Sequence, residues 1–94
     1  MRARRGKISD LYVEDGQAAV LVGTDVVVLS PLATTLLGLV GEEWADLRDL
    51  AARLVEVFGT PPAGTAPTSA TAAALHVLAE RRVVELDATD ELEG

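Results

Sequence analysis

Residues 13–30 read VEDGQAAVLVGTDVVVLS, and this stretch decides the fold. Asp15-Gly16 is a strong hairpin signal, because both central positions of a type I′ turn need a positive φ. Gly23-Thr24 supplies a second turn before an almost continuous run of β-branched residues. Together with the segment just upstream, the pattern predicts a three-stranded antiparallel meander. The predicted strands are Ile8 to Val13, Ala18 to Val22 and Val26 to Leu29.

Three helical patterns follow this meander. Ser30 and Pro31 are typical of an N-cap followed by proline at the first helical position. Asp46 is placed to cap a second helix whose leucines repeat at helical spacing, and Thr68 or Ser69 to cap a third. The predicted fold class is therefore α+β, with a three-stranded antiparallel N-terminal sheet followed by three helices.

Composition limits the protein to one domain and a small set of environments. Ala, Val and Leu supply most of the 49% hydrophobic content, and 94 residues leave room for one core. No apolar run reaches the roughly 18 residues that a membrane span needs. Cysteine is absent, which removes disulfides and thiolate chemistry and fits a reducing compartment. We therefore expect a cytoplasmic protein that does not contact a membrane.

Charge is distributed unevenly and suggests three segments. Residues 1–7 carry four cations and no acids, which predicts a solvated basic N-terminal arm. Residues 87–94 have the composition of an acidic C-terminal tail, and residues 8–86 form the predicted domain. The net charge of −7 repels a phosphate backbone, so no nucleic-acid partner is expected.

The sequence offers little for catalysis. No phosphate loop, dinucleotide motif or nucleophile elbow occurs, and the single histidine, His76, lies mid-helix without a partner. Trp44 is isolated in a polar connector, where we expect its indole to cover the edge of the core. We therefore expect no enzyme activity, metal site or cofactor. The small residues that begin the third helix, SATAAA, either form the floor of a groove or simply favour helix.

The order and spacing of these segments resemble the PqqD-like family of peptide chaperones, also called RiPP recognition elements. The resemblance runs from about Val13 to Leu86. Its anchors are VEDGQAAVLVGTDVVVLS, PLATTLLGLVG, DLRDLAARLVEVFG and LHVLAERRVVEL. The chain departs from the family pattern at Ser30, which stands for asparagine, at Arg82, which stands for glycine, and around Ala70, where an acid is usual.

This resemblance implies a winged helix-turn-helix-like fold and a function in natural product biosynthesis. Family members bind the leader segment of a ribosomally made precursor peptide as an added antiparallel strand, and present it to a modifying enzyme such as a radical SAM enzyme, a cyclase or a leader peptidase. Strand addition of this kind combines main-chain hydrogen bonds with side-chain pockets. The peptide-binding edge implied here is Asp25, Val26, Val27, Val28 and Leu29, and the helical wall is Ala70, Ala73, Ala74, Val77 and Arg81.

Two other functions fit the same sequence. One is a winged-helix transcription regulator, although the acidic charge and the lack of a basic recognition helix disfavour it. The other is a small interaction protein in which Val26 to Leu29 pairs with a second copy of itself. The chain is accordingly expected to be a monomer or a weak homodimer.

Overall fold

The computed structural model describes residues 1–87, which fold as an α+β protein of six strands and three helices. The strands make two antiparallel three-stranded sheets, one with the order β2-β3-β4 and one with the order β5-β1-β6. The strands are β1 (Arg2–Arg5), β2 (Asp10–Glu14), β3 (Gln17–Val22), β4 (Asp25–Val28), β5 (Ala45–Asp46) and β6 (Val84–Asp87). The helices are α1 (Pro31–Leu39), α2 (Leu47–Phe58) and α3 (Pro67–Glu80). The predicted fold class is confirmed.

The predicted meander is the β2-β3-β4 sheet. Asp15 and Gly16 have φ values of 53° and 78°, as a type I′ turn requires. In the second turn Gly23 alone has a positive φ, 61°, the pattern of a type II′ turn, in which only the first central residue needs it. The strand boundaries differ by up to two residues from those predicted, and every strand pairs antiparallel with its neighbour.

The second sheet was not predicted, and it corrects the expectation of a solvated N-terminal arm. β1 is the central strand of this sheet and pairs with β6, so that Arg2 lies opposite Asp87 and Arg5 opposite Val84. Ala3 points into the core and is 0% exposed. The arm folds because arginine has a long aliphatic stem that can lie on a sheet while its charged end stays near water.

Contacts beyond the sheet also hold β1 in place. The amide of Arg5 donates to the carbonyl of Gly41 at 2.7 Å, and its guanidinium donates to the carbonyl of Leu37 at 2.8 Å. The latter contact places a cation at the C-terminal end of α1, where the helix dipole favours it. The predicted acidic tail overlaps the structure only at Asp87, which belongs to β6, and its remaining residues 88–94 lie outside the described residues.

The indole of Trp44 lies over two arginines of β1, whereas we expected it to cover the edge of the core. The guanidinium carbons of Arg4 and Arg2 lie 4.4 and 5.6 Å from the centroid of its indole ring. Arg2 and Arg4 point away from the core because they alternate with the buried Ala3. Trp44 is therefore a cation–π partner of the outer face of the second sheet.

Two of the three predicted helix caps are confirmed. The hydroxyl of Ser30 accepts from the amide of Ala33 at 3.2 Å, and the carboxylate of Asp46 accepts from the amide of Arg48 at 3.3 Å. The cap predicted for α3 at Thr68 or Ser69 is wrong. This helix begins at Pro67, because proline at the first position needs no capped N–H.

The three helices and both sheets surround one aliphatic core. Its largest fully buried side chains are Leu36, Leu37, Leu50, Leu75, Val20, Val40 and Val83. Val20 comes from β3 and Leu75 from α3, so the meander and the third helix contribute to the same core. Across residues 1–87, no helix is both long enough and apolar enough to span a bilayer.

Candidate functional site

One side of β4 is open. β4 pairs with β3 only, and within residues 1–87 no strand lies against its other side. The amide of Leu29 donates to the carbonyl of Ala18 at 2.8 Å, which identifies Leu29 as a residue whose main-chain groups point toward β3. Because these directions alternate along an antiparallel strand, the N–H and C=O groups of Val26 and Val28 point toward the open side.

The side chains of β4 alternate between the core and solvent. Val27 and Leu29 are 6% and 4% exposed, whereas Val26 and Val28 are 66% and 69% exposed. This register, which the sequence left open, places Val26 and Val28 on the outer face of the sheet. Leu29 is a core residue beyond the end of β4, and its amide is bonded to Ala18.

At the start of β4, the predicted strand and the predicted helical wall meet. A cleft of about 310 Å³ lies between this end of β4 and the C-terminal end of α3, and we call it the charged cleft. It brings together four of the predicted site residues: Asp25, Val26, Val27 and Arg81. It also contains Val22, Glu80 and Arg82, which the prediction missed. For Glu80 and Arg82, adjacency to Arg81 in the sequence was the available signal.

The other predicted wall residues do not share the charged cleft. Ala73 is exposed and Val77 is 60% exposed, so both are accessible on α3. Ala74 packs partly against the core. Ala70 lines a different cavity, near the first turn of α1. Leu29 and Ser30 join β4 to that turn, so the two ends of α3 lie near opposite ends of β4. We call the region between β4 and α3 the edge groove.

Charge in the cleft is balanced. Asp25 and Glu80 contribute two acids, and Arg81 and Arg82 contribute two cations. In the described part of the chain, none of these four side chains forms an ion pair. All four remain available to polar groups of a ligand.

Arg82 owes its position in the cleft to the way α3 ends. Its φ is 63°, in the left-handed region that favours glycine. Its amide donates to the carbonyl of Ala79 at 3.0 Å, and the amide of Val83 donates to that of Leu78 at 2.9 Å. These two bonds define a Schellman motif, in which the residue at the position of Arg82 is most often glycine. The chain therefore keeps a cation here at a conformational cost.

No group of three or more His, Asp or Glu side chains within residues 1–87 is arranged to hold a metal ion. His76 is exposed on α3, on a face that neither cavity uses. The unpaired main-chain groups of Val26 and Val28 can donate and accept hydrogen bonds along the open side of β4.

Comparisons with known proteins add no information about this site. No family model matches the chain, and neither a curated protein nor a solved structure matches it.

Proposed function

We propose that this chain binds the leader segment of a ribosomally synthesised precursor peptide by strand addition to β4. The observation that carries the proposal is the open side of β4 with α3 running beside it. An unpaired strand edge is normally a hazard that proteins cover or charge, and here it remains uncovered and carries valines. The resemblance to PqqD-like peptide chaperones supports a leader segment as the ligand.

Strand addition has a clear physical basis at this edge. Val26 and Val28 offer two N–H donors and two C=O acceptors to an incoming strand. Each hydrogen bond contributes about 0.5–1.5 kcal/mol net, so main-chain pairing alone gives modest affinity with little sequence preference. Sequence preference comes from side chains of the peptide that point into the edge groove toward Ala73 and Val77.

In this proposal catalysis belongs to a partner. The chain would present the bound peptide to a modifying enzyme or a leader peptidase, itself using no cofactor and contacting neither nucleic acid nor membrane. It would act in the cytoplasm, where precursor peptides are made.

The proposal is tested by titrating isotopically labelled protein with the leader peptide encoded beside its gene. We expect chemical-shift changes concentrated at β4 and at the exposed face of α3. Val28→Pro should abolish binding, because proline removes an N–H that faces the open side. The hydrogen bonds between β3 and β4 do not use this N–H and stay intact. Val28→Thr is the matched control, since it keeps the N–H and the β-branched shape and should bind like the original. Binding that survives Val28→Pro would contradict strand addition.

Self-association is the second candidate, because the same edge can pair with its own copy. In an antiparallel pair centred on Val27, Asp25 lies opposite Leu29 and two like charges do not meet. Sedimentation velocity over a hundredfold range of concentration separates the two uses of the edge. A dimer that persists at micromolar concentration and is lost in Val28→Pro would favour self-pairing over peptide capture.

A further inference from the structure

An apolar cavity of about 330 Å³ lies where α2, α3 and the first turn of α1 converge. Leu32, Phe58 and Ala70 line it, together with Pro61 and Pro62 from the α2–α3 loop. Two of these side chains are large and remain accessible, since Phe58 is 47% exposed and Leu32 38% exposed. We call this space the apolar cavity. Accessible large apolar side chains around a concave surface are typical of a ligand-binding site.

The apolar cavity lies at one end of the edge groove, and the charged cleft lies at the other. Leu32 belongs to the first turn of α1, which follows the C-terminal end of β4. Ala70 belongs to the first turn of α3, whose C-terminal end contributes Arg81 to the charged cleft. A ligand lying along β4 therefore meets apolar side chains at one end and charged side chains at the other.

The direction of β4 determines which end of a bound peptide lies at the apolar cavity and which end lies at the charged cleft. β4 runs from the charged cleft toward the apolar cavity. Both pairings in its sheet are antiparallel, and antiparallel pairing is the more stable arrangement. A peptide that adds antiparallel to β4 runs in the opposite direction, so its N-terminal part lies at the apolar cavity.

The length of the edge groove sets the spacing between the two peptide residues that reach its ends. Ala70 and Arg81 are eleven residues apart along α3, which corresponds to about 16 Å at the helical rise. An extended antiparallel strand covers this distance in about five residues.

We infer that the bound peptide carries a large apolar anchor residue about five positions N-terminal to a polar or charged residue. The inference rests on the proposed strand addition and names the class of peptide that the site accepts. The anchor enters the apolar cavity and contacts Phe58, and the polar residue reaches the charged cleft. Burying one Leu- or Phe-sized side chain corresponds to about a ten- to hundredfold gain in affinity.

The test is a selection from a random twelve-residue peptide library displayed on phage, with the full chain as bait. Peptides that bind the original chain but not Val28→Pro are sequenced, which restricts the readout to ligands of the β4 edge. We expect an apolar residue followed about five positions later by a polar one. A synthetic peptide of the enriched sequence should bind at least tenfold more tightly than the peptide with the anchor and the polar residue exchanged.

Two variants locate the anchor. Phe58→Ala should weaken binding of the enriched peptide about tenfold and remove the preference at the anchor position. Val57→Ala is the matched control, because Val57 is 60% exposed on the same helix and does not line the apolar cavity. Edge-dependent peptides with the reverse order, or with no anchor, would overturn this inference and leave strand addition intact. If neither the library nor the leader peptide yields a ligand that depends on Val28, both proposals fail.

Discussion

Arg82 shows how a single backbone conformation is maintained against the preference of its residue type. A left-handed conformation costs a non-glycine residue roughly 1–2 kcal/mol. The Schellman hydrogen bonds and the burial of Val83, at 0% exposure, hold Arg82 there. In this conformation Arg82 lines the charged cleft.

Replacing Arg82 with glycine should therefore stabilise the fold. We expect Arg82→Gly to raise the free energy of unfolding by about 0.5–1 kcal/mol, because the relief of strain exceeds the added freedom of the unfolded chain. Urea unfolding measures the change. Arg81→Gly is the control, since Arg81 has a φ of −92° and should lose stability. An unchanged or lower midpoint for Arg82→Gly would contradict the strain at this residue.

Gly6 is a second residue at which the backbone restricts the residue type, here to glycine. A Cβ atom built on Gly6 would lie 2.6 Å from the carbonyl oxygen of Arg82, so β1 and the end of α3 approach too closely for a side chain. We expect Gly6→Ala to destabilise the fold by about 1–3 kcal/mol. Gly38→Ala is the opposite case, because Gly38 lies within α1 with open space around it, and should stabilise by about 0.5–1 kcal/mol. Thermal or urea unfolding of both variants provides the test, and equal effects would contradict this account.

At the scale of elements, β1 depends on contacts that cannot be predicted from its own sequence. Its partner β6 lies about 80 residues away along the chain, and the Nε of Arg4 donates to the carboxylate of Glu85 at 2.6 Å. Both side chains of this ion pair are more than 40% exposed, so it contributes little. The indole of Trp44 over Arg4 and Arg2 adds a contact that salt screens less effectively than it screens an exposed ion pair.

A double-mutant cycle measures that contact. We expect Arg4→Met and Trp44→Leu to show a coupling of about 0.5–1 kcal/mol in the free energy of unfolding. Lys7→Met with Trp44→Leu should show a coupling near zero, because Lys7 is exposed and lies beyond the end of β1. Equal couplings in the two cycles would show that the guanidinium of Arg4 does not recognise the indole.

At the scale of the whole molecule, two sheets share one core. The β5-β1-β6 sheet joins the first and last described strands and closes one side of the core through Ala3 and Val84. The β2-β3-β4 sheet keeps one side of β4 unpaired. One sheet thus joins the first and last described strands, and the other leaves an unpaired edge at β4.

If residues 2–5 form an integral strand, a charge in their buried face should unfold the protein. We expect Ala3→Asp to lower the free energy of unfolding by about 3–5 kcal/mol, because an unpaired carboxylate would replace a fully buried methyl group. Ala63→Asp, in the exposed α2–α3 loop, should change it by less than about 0.5 kcal/mol. Circular dichroism during urea titration distinguishes the two. A solvated arm would make both substitutions equally harmless.

The sequence by itself determined the features that depend on neighbours in the chain. The Asp15-Gly16 turn and the caps at Ser30 and Asp46 are local, because the side chain or backbone preference acts within three residues. The α+β class followed from these signals, and the open strand was among the predicted elements. The resemblance supplied its role, which remains a proposal.

Tertiary structure alone decided which groups meet. Pairing of β1 with β6 and the stacking of Trp44 on arginines join residues far apart in sequence, and a run of arginines carries no hydrophobic period to reveal a strand. The register of β4, which turns Val26 and Val28 outward, follows from burial of Val27 against the helices. The apolar cavity likewise exists only because α1, α2 and α3 converge. The burial of apolar surface that packs these helices is not directional, so the sequence does not show which of their faces will meet.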